Sequence, residues 1–197
     1  GFSYAPKAEL YGVEVEATKY FPLEFLGNGF GSRRAFIIAN YTFTNSKLKV
    51  GDEPVPYPLA GSATQTIPAN TLYTDGAPLT GQSDHLVNLQ VGVEDTESLS
   101  QLTVLASYAS KRVTARGAQY NGLDTLPDTY EYPGVNLDLV ARQGFAVAGT
   151  DFELKLEARN LLHTKYKEYQ DFGDNGRVYF NRYDRGRIYS LGLSAKF

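Results

Sequence analysis

The sequence predicts an all-β chain of about seven antiparallel strands, each with one apolar and one polar face. Three observations predict it. Apolar and polar residues alternate over seven separate segments, a period of two that belongs to strands. No segment carries a convincing helical period. Long and short connections alternate along the chain. Strands of about 9–11 residues with one apolar face match, in length and pattern, the strands that cross an outer membrane as part of a β-barrel.

The first strand is read over Glu9 to Tyr20, with Tyr11, Val13, Val15 and Ala17 opposing Gly12, Glu14, Glu16 and Thr18. The second, Arg34 to Thr44, sets Ala35, Ile37, Ala39, Tyr41 and Phe43 on its apolar face. The third, His85 to Glu94, alternates Val87, Leu89, Val91 and Val93 with Asn88, Gln90, Gly92 and Glu94. The fourth, Gln101 to Lys111, carries Leu102, Val104, Ala106 and Tyr108. The fifth, Val135 to Arg142, and the sixth, Phe152 to Arg159, repeat the pattern. The seventh is expected to run from Val178 to Phe197.

The connections at Pro22–Arg33, at Asp95–Ser98 and at Ala148–Thr150 are the short set, the first of them somewhat stretched. Those at Leu48–Asp84, Thr114–Gly134 and Gln170–Arg177 form the longer set. Outer-membrane barrels have short periplasmic turns and longer extracellular loops, and with seven strands the last residue falls on the periplasmic side. A soluble sandwich or a lipocalin-like barrel also alternates with period two. Sequence does not say which face is inside. The uniformity of the apolar faces, four or five residues per strand without a charge, favours the membrane reading.

Composition narrows the classes further. The 197 residues include no Cys, Trp or Met, with 15 Tyr, 11 Phe and 19 Gly. A chain without an initiator Met is expected to be a processed product or a segment of something longer. Absence of cysteine excludes disulfides and thiol chemistry. A net charge of −3 leaves no basic stripe for nucleic acid. The mean hydropathy of −0.33 is compatible with a barrel, half of whose strand residues face a polar lumen. No apolar run of about 18 residues and no signal peptide is present. Only His85 and His163 are available, far apart in sequence, and no metal-ligand spacing occurs. No Gly-x-Ser-x-Gly elbow occurs, and Gly27-Asn28-Gly29-Phe30-Gly31 lacks the Lys-Ser/Thr of a phosphate loop. No catalytic residue, metal or cofactor is therefore expected.

The final nine residues alternate without a break. Tyr189, Leu191, Leu193, Ala195 and Phe197 share one face, and Ser190, Gly192, Ser194 and Lys196 the other. The aromatic Phe197, with apolar residues at every second position before it and Gly192, resembles the signal by which outer-membrane barrels are recognised for assembly. Leu191 departs from it, in a slot that is usually polar. Ala158-Arg159-Asn160-Leu161-Leu162-His163-Thr164-Lys165-Tyr166, followed by Tyr183-Asp184-Arg185-Gly186-Arg187 and the final strand, resembles the C-terminal end of TonB-dependent outer-membrane receptors. Tyr11-Gly12-Val13-Glu14-Val15-Glu16 is similar to a recurrent strand of that family.

The resemblance implies a 22-stranded barrel filled by an N-terminal plug, of which residues 1–197 would be the C-terminal segment. It also implies energised uptake of a scarce nutrient such as an iron chelate, a vitamin or a carbohydrate. The implied partners are the remaining strands and plug, a TonB-type energiser acting through that plug, the barrel-assembly machinery and a small-molecule ligand. The alternative is a segment of a passive porin or of an outer-membrane enzyme barrel.

Three residue sets are candidates for function. Glu14 and Glu16, with Glu153, Lys155, Glu157 and Arg159, are read as facing the lumen or plug, as a ligand track or as a self-neutralising solvated face. Tyr57, Tyr73, Tyr120, Tyr130 and Tyr132 lie in the two longest connections. Loops on a rigid barrel commonly carry ligand contacts, although tyrosines also stiffen loops or join an aromatic girdle. Arg185 and Arg187 continue the outward parity of Tyr189, where they either meet lipopolysaccharide phosphates or snorkel to water.

Overall fold

The computed structural model describes residues 4–57, 65–117, 119–120 and 124–196. Along the chain, β1 (Lys7–Pro22) and β2 (Arg33–Lys49) are followed by a small hairpin of β3 (Pro54–Pro56) and β4 (Thr66–Pro68). A single helical turn, α1 (Ala69–Leu72), leads to β5 (His85–Asp95) and β6 (Ser100–Ala109). Next come β7 (Arg112–Ala115), β8 (Gln119–Tyr120), β9 (Asp124–Thr125) and β10 (Thr129–Glu131). The long β11 (Gly134–Val147) and β12 (Thr150–Arg159) precede β13 (Tyr166–Asp171), β14 (Arg177–Tyr183) and β15 (Ile188–Lys196).

Seven of these make one antiparallel sheet in the order β1-β2-β5-β6-β11-β12-β15. Neighbours in the sheet are neighbours in sequence once the long connections are skipped, so it is an up-and-down meander. The sheet does not close, since β1 and β15 each pair on one side only among the described residues.

The register carries the sequence alternation across all seven strands. One row reads Val15, Tyr41, Val87, Tyr108, Val135, and the next on the same face Ala17, Ala39, Leu89, Ala106, Leu137. Further down lie Ile37, Val91, Val104, Leu139, Ala158, Tyr189, a row whose β1 member is the charged Lys19, then Phe21, Ala35, Val93, Leu102, Ala141, Leu156, Leu191. A one-residue slip anywhere would move a strand's apolar set to the other face. The opposite face holds Glu16, Asn40, Asn88, Ser107 and Asn136 in one row. It is not wholly polar: Phe36 lies there, packed where Gly92 leaves room.

The second layer is built from the long connections. A four-stranded sheet in the order β14-β13-β10-β7 combines strands from the β6–β11 and the β12–β15 connections. The β2–β5 connection folds back on the end of β2, with Leu79 N–H donating to Ser46 Oγ (3.0 Å) and Leu48 N–H to the Ala77 carbonyl (2.8 Å). Gly81 N–H then donates to the Val113 carbonyl (2.7 Å), and Thr114 Oγ1 to Glu168 (2.5 Å). All three connections are therefore locked together. Most buried side chains belong here, among them Val55, Ala69, Val113 and Tyr169; among the described residues the main sheet buries Phe36 and Thr103, and Ser46 and Leu48 at the end of β2.

Three expectations are corrected. The seventh strand is not continuous from Val178: β14 belongs to the outer sheet, and the main-sheet strand starts at Ile188. The break falls at Gly186, whose φ of 65° favours glycine, after Asp184 accepts its N–H (2.8 Å). The connection read at Gln170–Arg177 is consequently a tight turn inside a β13–β14 hairpin, and the long connection runs over residues 160–187. The fourth strand stops at Ala109, two residues short of Lys111.

Candidate functional site

Both faces of the edge strands β1 and β15 are open, and across β2, β5, β6, β11 and β12 the apolar face is the more exposed of the two. Large side chains there run from 38 % exposed at Leu89 to 71 % at Leu191, and include Val13, Ile37, Val91, Leu102 and Leu156. The fully buried Phe36 and Thr103 lie on the opposite face. This inverts a water-soluble sheet, whose apolar side is the covered one. Among the described residues, no element packs across this face.

Aromatic residues mark its two rims. Toward the long connections stand Tyr11, Tyr41, Phe43, Tyr108 and Tyr189; toward the short turns stand Phe21, Phe145 and Phe152, the last two stacked with centroids 5.5 Å apart. Amphipathic rings at both ends of an apolar band are the pattern of a membrane-spanning barrel wall. No described helix is long and apolar enough to cross a membrane, which says nothing of strands.

The charged set on the other face divides in two. Glu14 and Glu16 are on the edge strand β1, where Asn40 Nδ2 donates to Glu14 (2.8 Å). Glu153, Lys155, Glu157 and Arg159 are on β12, five places along the sheet. Glu157 holds Lys155 on one side and Arg159 on the other (2.8 Å). The structure does not bring the two groups together, and the β12 track neutralises itself internally.

The tyrosines are also dispersed. Tyr57 closes the β3–β4 hairpin through its N–H to the Gln65 carbonyl (2.9 Å), and Tyr73 follows α1. Tyr130 lies tilted against Tyr169 (centroids 6.4 Å) under the ammonium of Lys111 (4.2 Å), and burial pushes its phenol above the usual range. Tyr132 is half exposed beside Gly134. The side chain of Tyr120, in β8, lies outside the described residues, as does Phe197. The rest of the terminal set, Tyr189, Leu191, Gly192, Leu193 and Ala195, is in β15, with Gly192 on the polar face opposite Lys155.

Sequence reasoning singled out the Ala158–Tyr166 and Tyr183–Arg187 segments without foreseeing that they meet. Asn160, at φ 55°, donates through Nδ2 to the carbonyls of Gly186 (2.6 Å) and Thr164 (3.3 Å), and its Oδ1 accepts Thr164 N–H (2.8 Å). Its own N–H donates to Asp138 (2.8 Å). His163 meets Asp184 at 2.5 Å, and Arg187 donates to the Leu161 carbonyl (3.0 Å). Arg185 reaches Asn136 on the polar face (3.3 Å). The parity expectation that put Arg185 outward is therefore corrected, because the turn at Gly186 breaks the alternation. The signal available in the sequence was Asp184-x-Gly186, a turn pattern inside an apparent strand.

Among the described residues no group of His, Asp and Glu can hold a metal ion. Compared with family models, characterised proteins and solved structures, the chain shows no match.

Proposed function

We propose that this chain is the C-terminal segment of the barrel of a TonB-dependent outer-membrane receptor, which takes up a scarce nutrient such as an iron chelate, a vitamin or a carbohydrate. The observation that carries the membrane part is the continuous exposed apolar face with aromatic rims. A water-facing monomer rarely exposes an apolar patch of more than a few hundred Å², and thirteen large aliphatic side chains exposed by 38–71 % exceed that. The two open edges point the same way, since unpaired backbone groups in a hydrocarbon layer cost several kcal/mol each. Further strands, supplied by the rest of the receptor, would cover them.

The receptor part rests on the sequence resemblance of Ala158–Tyr166, Tyr183–Arg187 and the last strand. The hydrogen bonds around Asn160 give those residues a shared task, which suits a recurring motif. In this reading the polar face lines the lumen against the plug. The interlocked outer layer forms the extracellular vestibule for the small-molecule ligand, and the β15 face presents the assembly signal to the barrel-assembly machinery.

Fractionating cells that make the protein tests the first part. Outer-membrane residence with heat-modifiable electrophoretic mobility is expected, and a soluble monomer overturns it. For the second part, uptake of ferric chelates, a vitamin and an oligosaccharide is compared in cells with and without the protein. Loss of uptake when the inner-membrane energiser is deleted supports a receptor; uptake that continues by diffusion makes the barrel a porin.

A further inference from the structure

The outer sheet carries a row of tyrosines across three strands. Tyr130 of β10 stands opposite Tyr169 of β13, and Tyr169 opposite Tyr179 of β14, so the three rings share one face. A cation lies over each ring. The Lys111 ammonium is 4.2 Å from the centroid of Tyr130, the Arg177 guanidinium 4.7 Å from that of Tyr169 and the Arg182 guanidinium 5.3 Å from that of Tyr179. Lys167 joins them, directly opposite Arg182 in the β13–β14 ladder. Like charges directly opposite each other are destabilising. Neither Lys167 nor Arg182 is in an ion pair among the described residues.

The surrounding carboxylates do not cancel this charge. Asp171 shares the face, 3.1 Å from Arg177 and within reach of the Lys111 charge, and Asp174 sits on the hairpin tip in the turn Gly173–Asn175. Asp128 is held by Arg116 (2.6 Å) and Glu131 by Arg112 (2.7 Å). Glu168 is on the other face, between Thr114 and Asn181, and Asp184, beyond the end of β14, holds His163 and Lys165. Lys111, Lys167, Arg177 and Arg182 therefore face Asp171 and Asp174, a surplus of two positive charges.

We infer that this face binds a small polyanion, a ligand carrying two or more carboxylate-type oxyanions, and makes the receptor prefer anionic to neutral nutrients. The inference rests on the reading of the outer layer as the ligand vestibule, and narrows its substrate. A neutral sugar needs an open ring face to stack on, and here a cation covers each ring while the rings lean on one another. A guanidinium lying flat on a ring keeps its N–H edge free for an oxyanion. Lys111, Arg177 and Arg182 are exposed and Lys167 is half-buried, so their donors reach solvent. From β10 to β14 is two strand spacings, ~10 Å. One anionic group fits at the Lys111 end and another between Lys167 and Arg182, where it relieves their mutual repulsion as it binds.

The test uses the complete receptor as its host makes it, purified in a neutral detergent and titrated calorimetrically. The probes are two anionic iron(III) chelates, a citrate and a tris-catecholate complex, a neutral iron(III) tris-hydroxamate and neutral maltotriose. An anionic probe is expected to bind, more weakly as salt is raised, and the neutral probes are not. Lys167→Gln with Arg182→Gln should weaken that binding by about ten- to a hundred-fold, while Lys167→Arg should keep it. Heat-modifiable mobility checks that each variant folds. Neutral probes that bind as tightly as the anionic ones, or an anionic probe bound equally by the double variant, overturn the inference and leave the receptor reading standing. If no probe binds, the inference falls, and energiser-dependent uptake in cells with and without the protein decides whether the receptor reading falls with it.

Discussion

Replacing Leu156 with arginine separates a lipid-facing sheet from a water-facing one. Leu156 is half exposed on β12, between Ala141 and Leu191, at the edge of a notch of about 360 Å³ lined also by Leu139, Ala158 and Tyr189. It stands four residues above Phe152, which at about 3.3 Å per residue and a tilt of roughly 40° is ~10 Å of vertical height. In an apolar band about 25 Å tall that is near the middle. There an arginine costs about 2–4 kcal/mol, a factor of roughly 30 to 1,000 in the folding equilibrium. In water, the same change at a half-exposed site that nothing covers should stay within about 0.5 kcal/mol. Reversible denaturant unfolding in lipid vesicles, followed by tyrosine fluorescence and protease protection, reads the difference. Glu157→Gln, one residue along on the other face, is the control and should be much milder. If Leu156→Arg matched it within 0.5 kcal/mol, the apolar face would not be in hydrocarbon.

Three further outcomes are expected. Asn160→Ala removes three side-chain hydrogen bonds at about 0.5–1.5 kcal/mol each and leaves alanine in a left-handed conformation, so it should cost about 2–4 kcal/mol and speed hydrogen exchange over residues 160–187; Asn160→Gly, which relieves only the backbone, should recover about 1 kcal/mol of that. Gly92→Ala puts a Cβ 2.5 Å from Phe36 Cζ and from the Leu102 carbonyl, and should cost about 1–3 kcal/mol in denaturant unfolding, with Phe36→Leu recovering part but not all of it. Glu168, held by the Thr114 hydroxyl, Asp171, held by Arg177, and Asp184, held by Gly186 N–H and His163, all lie below the usual carboxylate range. Because the folded values are depressed, their stabilisation is present above the ordinary carboxylate pKa of about 4 and is lost as pH falls through the lower folded values. Limited proteolysis should therefore open the outer layer on acidification below about pH 4 while the main sheet stays protected.

The seven long strands were legible because their two faces differ in kind: Leu154 and Leu156 against Glu153 and Lys155 leave one register open. Their ends were less so. The extension of β2 to Lys49 adds Asn45 and Lys47 on the outward parity, where alternation no longer distinguishes the faces. The outer sheet was missed because β7, β10 and β13 are three to six residues long and mix polar and aromatic side chains on both faces. Tyr130 beside Tyr169 and Thr114 beside Glu168 are long-range neighbours that no local pattern encodes. The Asn160 cluster was half legible, its members visible as a motif and their convergence not. Which face is exposed depends on what the sheet packs against, so only coordinates could assign it.

The joining of three connections into one layer has a mechanical consequence. Thr129 and Tyr130 pair with Gln170 and Tyr169, and Arg116 reaches back to the Pro78 carbonyl, so a force on any one loop is carried by the other two. Loops joined this way resist separation together, because opening one means breaking hydrogen bonds held by the other two.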